Sequence, residues 1–308
     1  MEEIKKYLSG KGYPAGDLHD LPPSKKRFAD GAEYRFEIPT VEGPNVLEAV
    51  LEEAEKYKVT VQRVSQGSGI MLLTDSEIEQ MVNIGRDAKI EVSLFVGPRA
   101  PWDIAAHPFT EAGKTMGWRV AGMDQLIYAL EDIKRACSLG LRGVLVGDEG
   151  VLFMANEMKK DGLLPNDLVI KASAMMAHPN PVSIKMCQDL GANTYNILTD
   201  QTFPRLAAMR SLVDIPVDMY IEVPDNLGGY IRFFDAPQII KVAAPVYFKF
   251  GLKNVSNAYP SGTHMEASVI AAARERVRRA KILSDMIEKY HPEAITSDVG
   301  ASDLGIPV

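Results

Sequence analysis

Eight short runs rich in β-branched and aromatic residues, each followed by a turn and then an amphipathic helix, predict a closed (β/α)8 barrel, the TIM-barrel fold class. The runs are YRFEIP (34–39), VTVQRVSQ (59–66), IEVSLFVG (90–97), GVLVGDE (143–149), DLVIKASA (167–174), ANTYNIL (192–198), VDMYIEV (217–223) and VYFKFG (246–251). Such a barrel needs about 250 residues, and the stretch 34–290 supplies them. A hydrophobic content of 46% permits one large core, so the 308 residues read as a single domain. Its parts are a barrel core over about 34–290, an N-terminal extension 1–33 and a C-terminal tail 291–308.

The intervening helices carry their own signals. GPNVLEAVLEEAEKYK (43–58) has proline in its first turn and Val46, Val50, Leu51 and Ala54 on one face. TDSEIEQMVNIG (74–85) opens with Thr74 and Glu77 in capping-box spacing. MDQLIYALEDIKRACSLGL (123–141) spaces Leu126, Ile127, Leu130 and Ile133 helically and ends at Gly140. Shorter helices follow at 180–191, 202–213 and 235–245, then a long one at 265–290. In that last helix Arg274, Arg276, Arg278 and Arg279 read as a solvated basic face beside Glu275. The connection 97–122, rich in Pro, Gly and Trp, is expected to lie as a lid over the C-terminal strand ends. The extension begins with one short helix and continues as a loop around the barrel bottom or a neighbour. The small, polar tail reads as disordered or as an arm onto another subunit. These appendages predict a homo-oligomer.

Composition excludes several classes. A net charge of −7 argues against nucleic acid and anionic membranes as partners. Two cysteines, Cys137 and Cys187, exclude a disulfide framework or a four-cysteine metal site. No apolar stretch has the length of a membrane span and the N-terminus lacks an apolar signal core, so the expected location is cytoplasmic. Neither HxH, HExxH nor CxxC occurs, which argues against zinc.

In barrels of this class the chemistry sits at the C-terminal strand ends, and alternation along each strand decides which side chains point inward. The inward set reads as Arg35 and Glu37; Arg63 and Ser65; Asp148 or Glu149; Lys171 and Ser173; Asn196; Tyr220 and Glu222; and Lys249. Charges at such density point to a site, because an inert barrel fills these layers with aliphatic residues. Glu37 and Glu222 sit on strands separated only by the eighth, so they are expected to share acid/base work. With Asp148 and Glu149 they can also hold a hard divalent ion, Mg²⁺ or Mn²⁺. Lys249, set among aromatics, is a candidate base or Schiff-base nucleophile. Arg63, Arg99, Lys171 and Lys253 offer positive charge for a carboxylate or phosphate. Two Gly-rich loops offer free amides: QGSG with Gln66 and Ser68, and Asp225–Gly229 followed by Arg232. Ser68 has no histidine beside it in sequence, which does not support a serine-hydrolase triad.

Five stretches, FADGAEYRFEIPTVEGP, VQRVSQGSGIMLLTDSEI, DLVIKASAMMAHPNPVSIKMCQDLGANTYNILTD, VDMYIEVPDNLGGYIRF and APVYFKFGLKN, resemble the U32 peptidase family over most of the chain. The resemblance implies a barrel and peptide or amide hydrolysis, with some relatives acting in nucleic-acid modification or hydroxylation. Several relatives carry a cysteine cluster for an iron–sulfur centre; two cysteines do not make one, so no iron–sulfur cluster is expected here. The matched motifs are diffuse and transfer no catalytic position. Residues and resemblance together read as a barrel enzyme acting on a small anionic molecule, a U32-like amide hydrolase. The alternatives are a metal-assisted lyase or aldolase on a keto or hydroxy acid, and a non-catalytic barrel subunit.

Overall fold

The computed structural model describes residues 1–308, the side chain of Thr115 excepted. In chain order the elements are α1 (Glu2–Gly10), β1 (Tyr34–Pro39), α2 (Pro44–Tyr57), β2 (Arg63–Ser65), α3 (Asp75–Ala88), β3 (Glu91–Phe95), α4 (Gly122–Ser138), β4 (Gly143–Val146), α5 (Glu149–Lys160), β5 (Val169–Ala172), α6 (Pro181–Asp189), β6 (Thr194–Asn196), α7 (Phe203–Leu212), β7 (Val217–Glu222), α8 (Ala236–Ala243), β8 (Val246–Phe250) and α9 (Glu266–Tyr290). The strands close as β1-β2-β3-β4-β5-β6-β7-β8, every pair parallel, so the protein is a (β/α)8 TIM barrel. Helices α2 to α9 form the outer ring, and α9 reaches both α2 and α8 to complete it. No helix is long and apolar enough to cross a membrane.

Local chemistry accounts for the element ends. Thr74 and Glu77 form the capping box foreseen for α3, satisfying two otherwise orphaned donors. Asn180 caps α6 through the amides of Val182 and Ser183, just ahead of Pro181. β4 is shorter than its sequence run because Asp148 leaves the strand and caps α5 instead, accepting from the amides of Gly150 and Val151.

Part of the N-terminal extension and the C-terminal tail pack on the barrel. Residues 18–26 strap the feet of α7 and α8, where Ser24 N–H donates to the Lys241 carbonyl at 2.7 Å and Lys26 Nζ reaches the carbonyls of Arg210 and Val213. The tail was expected to be disordered or to reach another subunit; it instead plugs the N-terminal end of the barrel. Thr296 bridges to Tyr34, Ser297 Oγ accepts from Arg35 Nε at 2.7 Å, and Asp303 takes both Nη groups of Arg35. Gly305 N–H donates to Glu91 and Val308 N–H to the Gly140 carbonyl. Arg35, fully buried, needs a partner at the barrel's base, and the tail provides it. With the tail so employed, it supplies no argument for a second copy.

Candidate active site

Above the plug, strand alternation stacks polar side chains along the barrel axis. Arg63 is the centre of the stack: its Nε donates to Glu37 Oε2 at 2.7 Å, its Nη2 lies 2.6 Å from Asp218 Oδ1, and its guanidinium lies over the Tyr247 ring at 3.5 Å. Lys171 reaches Glu37 in a short contact and Asp218 at 3.3 Å. Ser65 Oγ donates to Glu37 at 2.6 Å, and Thr194 Oγ1 to Asp218 at 3.1 Å. Burial alone would raise the Glu37 pKa; Arg63, Lys171 and Lys249 reverse that and hold it well below the usual carboxylate range. Lys171 goes the other way. Burial first, then the neighbouring Arg63, pulls its ammonium down to about 7.

Lys249 tops the stack. Its Nζ lies 3.0 Å from Glu37 Oε1 and 4.6 Å from the centre of the Tyr220 ring. With the Asn196 amide oriented to satisfy both its ends, Oδ1 accepts from Lys249 at 3.0 Å and Nδ2 donates to the Asp218 carbonyl at 3.1 Å. Over Lys249 opens a cavity of about 330 Å³ at the C-terminal mouth. Ser65, Asn196, Tyr220 and Lys249 line its lower part, Ser173 and Met175 one side, and Arg276 of α9 another. Lys114 and Trp118 of the connection 97–122 line it as well, as do Ser256 and Tyr259 from the loop after β8. The connection thus borders the C-terminal mouth, as its length and composition suggested. Among the described residues the lining holds no Asp, Glu, His or Cys, while it holds three cations, Lys114, Lys249 and Arg276.

The sequence-predicted residues separate into several places. Glu37, Arg63, Lys171 and Lys249 do converge. Glu222 does not join them. A register shift between Tyr220 and Glu222 opposes Tyr220 to Lys249 and Glu222 to Phe250, which turns the Glu222 side chain out toward the helices. There it meets Arg279 at 3.3 Å and accepts from the Lys253 amide at 3.0 Å. Asp148 caps α5, and Glu149 pairs with Arg119 and His178. Among the described residues no three His, Cys, Asp or Glu side chains are placed to hold a metal ion, so the expected Mg²⁺ or Mn²⁺ donor set of Glu37, Glu222, Asp148 and Glu149 does not fit such an ion.

The anion-binding loops are also occupied from within. The amides of Gly67 and Ser68 do bind a carboxylate, that of Glu42, at 2.9 and 3.0 Å. Gln66 closes the same loop onto Gly69 and the Phe95 amide, and Ser68 Oγ accepts from the Ser261 amide. Gly67 is needed for close approach, though to Tyr259: a Cβ there would lie 2.3 Å from that ring. Arg99 donates to the Gly67 carbonyl from between the rings of Phe95, Trp102 and Trp118. Arg232 is bound to Asp235 and the Gln201 carbonyl, and Lys253 to Asp225. Gln66 and Gly67 still line the cavity, whereas Ser68, Arg99, Arg232 and Lys253 build the mouth without lining it.

Two groups went unforeseen. Asp218 shares the parity of Tyr220 on β7, which was the available signal for its inward position. Arg276, read as part of a solvated face, is only 2% exposed. A third arrangement lies outside the cavity: Cys187 Sγ sits 3.1 Å from His178 Nδ1, whose Nε2 is 2.9 Å from Glu149. It has the order of a thiol–imidazole–carboxylate relay. The thiol is nonetheless sealed at 1% exposure and burial pushes it up to about 11, so it remains a protonated core residue.

No family model matches the chain, and no curated protein matches it. Its fold is similar to that of a candidate fructose-1,6-biphosphate aldolase from Coccidioides immitis, with 14% identity over 85% of this chain and 92% of that one and a TM-score of 0.50. It is similar also to the U32 peptidase Mk0906, with 12% identity over 73% of this chain and 94% of that one, TM-score 0.42. A monomeric dihydrodipicolinate synthase variant gives 13% identity over 81% and 79% of the two chains, TM-score 0.42. At such identities the likeness is one of fold, and the U32 resemblance is met at that level.

Proposed function

We propose that this barrel is an enzyme acting on a small anionic carbonyl compound, an oxo acid or a phosphorylated aldehyde or ketone, through the amine of Lys249. The observation that carries the reading is the lining of the cavity. Lys249 stands at its base with Glu37 behind it, and no carboxylate, imidazole or thiol faces the same space. This favours the lyase or aldolase alternative, with a lysine amine in place of the metal. The amide hydrolysis implied by the U32 resemblance finds no carboxylate, imidazole or thiol in the cavity to activate water and would fall to the same Lys249 amine beside Ser65 and Ser173. A purely structural barrel has no use for an open cavity with three cations around it.

The cluster beneath explains how Lys171 can give up its proton near neutral pH. Glu37 and Asp218 are in contact with three cations, Arg63, Lys171 and Lys249, while Glu91 stands farther off, 3.6 Å from Arg63. One positive charge is in surplus, and a lysine proton is the one most readily released. Glu37 touches both Lys171 and Lys249, so it offers a proton a path from one amine to the other. The neutral Nζ of Lys249 adds to the substrate carbonyl carbon and water leaves. The resulting iminium receives the electron pair of the neighbouring C–C or C–H bond as that bond breaks, the proton set free from the C–H, or from the hydroxyl of the fragment that departs as a carbonyl, passing to water in the open cavity. Protonation of the enamine and hydrolysis of the imine then return the free amine.

Borohydride trapping tests this. Pyruvate, glyoxylate and glyceraldehyde 3-phosphate are each incubated with the protein and reductant, and the modified peptide is mapped by mass spectrometry. The expected result is a reduced adduct on Lys249 with at least one probe, absent from Lys249→Met and forming more slowly as pH falls below about 7, the region set by Lys171. No adduct in the unmodified protein, or one persisting undiminished in Lys249→Met, overturns the reading.

A further inference from the structure

Arg276 stands out among the buried guanidiniums because it has neither a counter-ion nor an acceptor: Arg99 and Arg210, also without a carboxylate in contact, donate to backbone carbonyls instead. It lies on the inner stripe of α9 with Val269, Ala273, Val277 and Ala280, all buried, and it emerges at the wall of the mouth cavity. It is 2% exposed, and neither Nε nor Nη1 has a hydrogen-bond partner. A buried guanidinium ordinarily has a carboxylate in contact, since its charge has left water.

The two acids nearest in charge are both committed elsewhere. Glu42 accepts the amides of Gly67 and Ser68, and Glu222 faces Arg279 and the Lys253 amide. The aromatic neighbours, Tyr220 and Tyr259, line the same cavity; Tyr259 pairs its hydroxyl with Thr40 at 2.7 Å. Burial draws the Arg276 charge down somewhat, with the tyrosines and Glu42 opposing. What is left is a positively charged group, fixed by the packing of α9, in contact with an acid-free space that also holds Lys249.

We infer that Arg276 is the oxyanion anchor of this site, taking the phosphate or carboxylate group of the molecule whose carbonyl meets Lys249. The inference rests on the anionic-substrate reading above and adds the residue that selects for the anion. Its position on an outer helix, away from the strand ends where such barrels place most functional side chains, makes it a specificity-determining group separate from the amine.

The test separates binding from chemistry. Inorganic phosphate and acetate are titrated against the unmodified protein, Arg276→Met, Arg276→Gln and Arg276→Lys, with the melting point of each variant recorded first to establish that it folds. Phosphate, acetate or both should bind the unmodified protein, and which of them does so identifies the anion. Affinity for that ion should fall roughly 10- to 100-fold in Arg276→Met and Arg276→Gln, the loss of one charge-assisted contact, and recover in part in Arg276→Lys. In parallel, the trapping efficiency of glyceraldehyde 3-phosphate relative to glyceraldehyde should drop in the Met variant by a similar factor. Equal anion affinity in all four proteins, or no binding of either ion to the unmodified protein, overturns the anchor. Loss of anion binding in Arg276→Met together with no trapping anywhere upholds the anchor while sinking the amine chemistry.

Discussion

Arg63 and Arg276 are both buried, at 0% and 2% exposure, and their surroundings differ in kind. Arg63 lies within 2.6 Å of two carboxylates, Glu37 and Asp218, and burial, which would lower its pKa, is outweighed by them so that it rises well above the ordinary value. Arg276 has no such partners, and burial lowers it. The first arrangement is complete without any other molecule and belongs to the scaffold that supports Lys249. The second is incomplete in the protein alone. A buried charge that its own fold neutralises reports on architecture, whereas one left open at a cavity reports on what enters.

The comparison can be broken most severely at Glu37. Glu37→Gln leaves Arg63, Lys171 and Lys249 facing Asp218 alone, and should destabilise the protein by about 3–5 kcal/mol, read by urea denaturation. An effect under about 1 kcal/mol would mean that the cluster is not held together as its geometry indicates. Arg276→Met should act in the opposite direction. Removing an unpaired buried charge in favour of an apolar chain of similar length should stabilise the ligand-free protein by about 1–3 kcal/mol. Destabilisation as large as that of Glu37→Gln would show that Arg276 has an internal partner after all.

Asp132 sharpens the comparison from the acidic side. It lies on α4 with Oδ2 unpartnered and Arg135 no nearer than 3.8 Å, and burial raises its carboxyl to about 6. Because the folded carboxyl holds its proton more tightly than the ordinary one, the native state binds more protons between about pH 4 and 6. Stability therefore falls as pH rises through that window, and the penalty is fully present above it. Asp132→Asn should be neutral near pH 4 and stabilising by about 1 kcal/mol at pH 8, a modest net effect once the amide's own burial is set against the gain. A pH-independent difference in melting temperature would show that burial does not hold the Asp132 carboxyl toward its protonated form.

How much of this was legible in the sequence follows from which forces act locally. The strand runs, the Thr74 capping box and the Pro starts of α2 and α6 are set by neighbours in sequence, and the barrel followed from their repetition. Glu37, Arg63, Lys171 and Lys249 could be placed inward by alternation alone. Glu222 defeated that rule because a bulge, set by the pairing of β7 with β8, reverses parity within one residue. The QGSG loop was recognisable as an anion-binding loop, but nothing local showed that Glu42 would supply the anion. Arg276 was obscured by the arginines on either side of it, although its spacing from Val269, Ala273 and Ala280 placed it on the buried stripe all along.

The plug at the base of the barrel also imposes an order on events during synthesis. Arg35 is made early, yet its partners Ser297 and Asp303 lie 262 and 268 residues further along the chain. At ordinary translation speeds of 5–20 residues per second that is a wait of roughly 15 to 50 s. Throughout it the nascent barrel holds a charged group at its lower end with Asp30 as the one early carboxylate near it, at 3.6 Å in the finished structure. Arg35 can therefore reach its final hydrogen bonding only once residues 297–303 have been made, so the tail completes a part of the fold that the first strand begins.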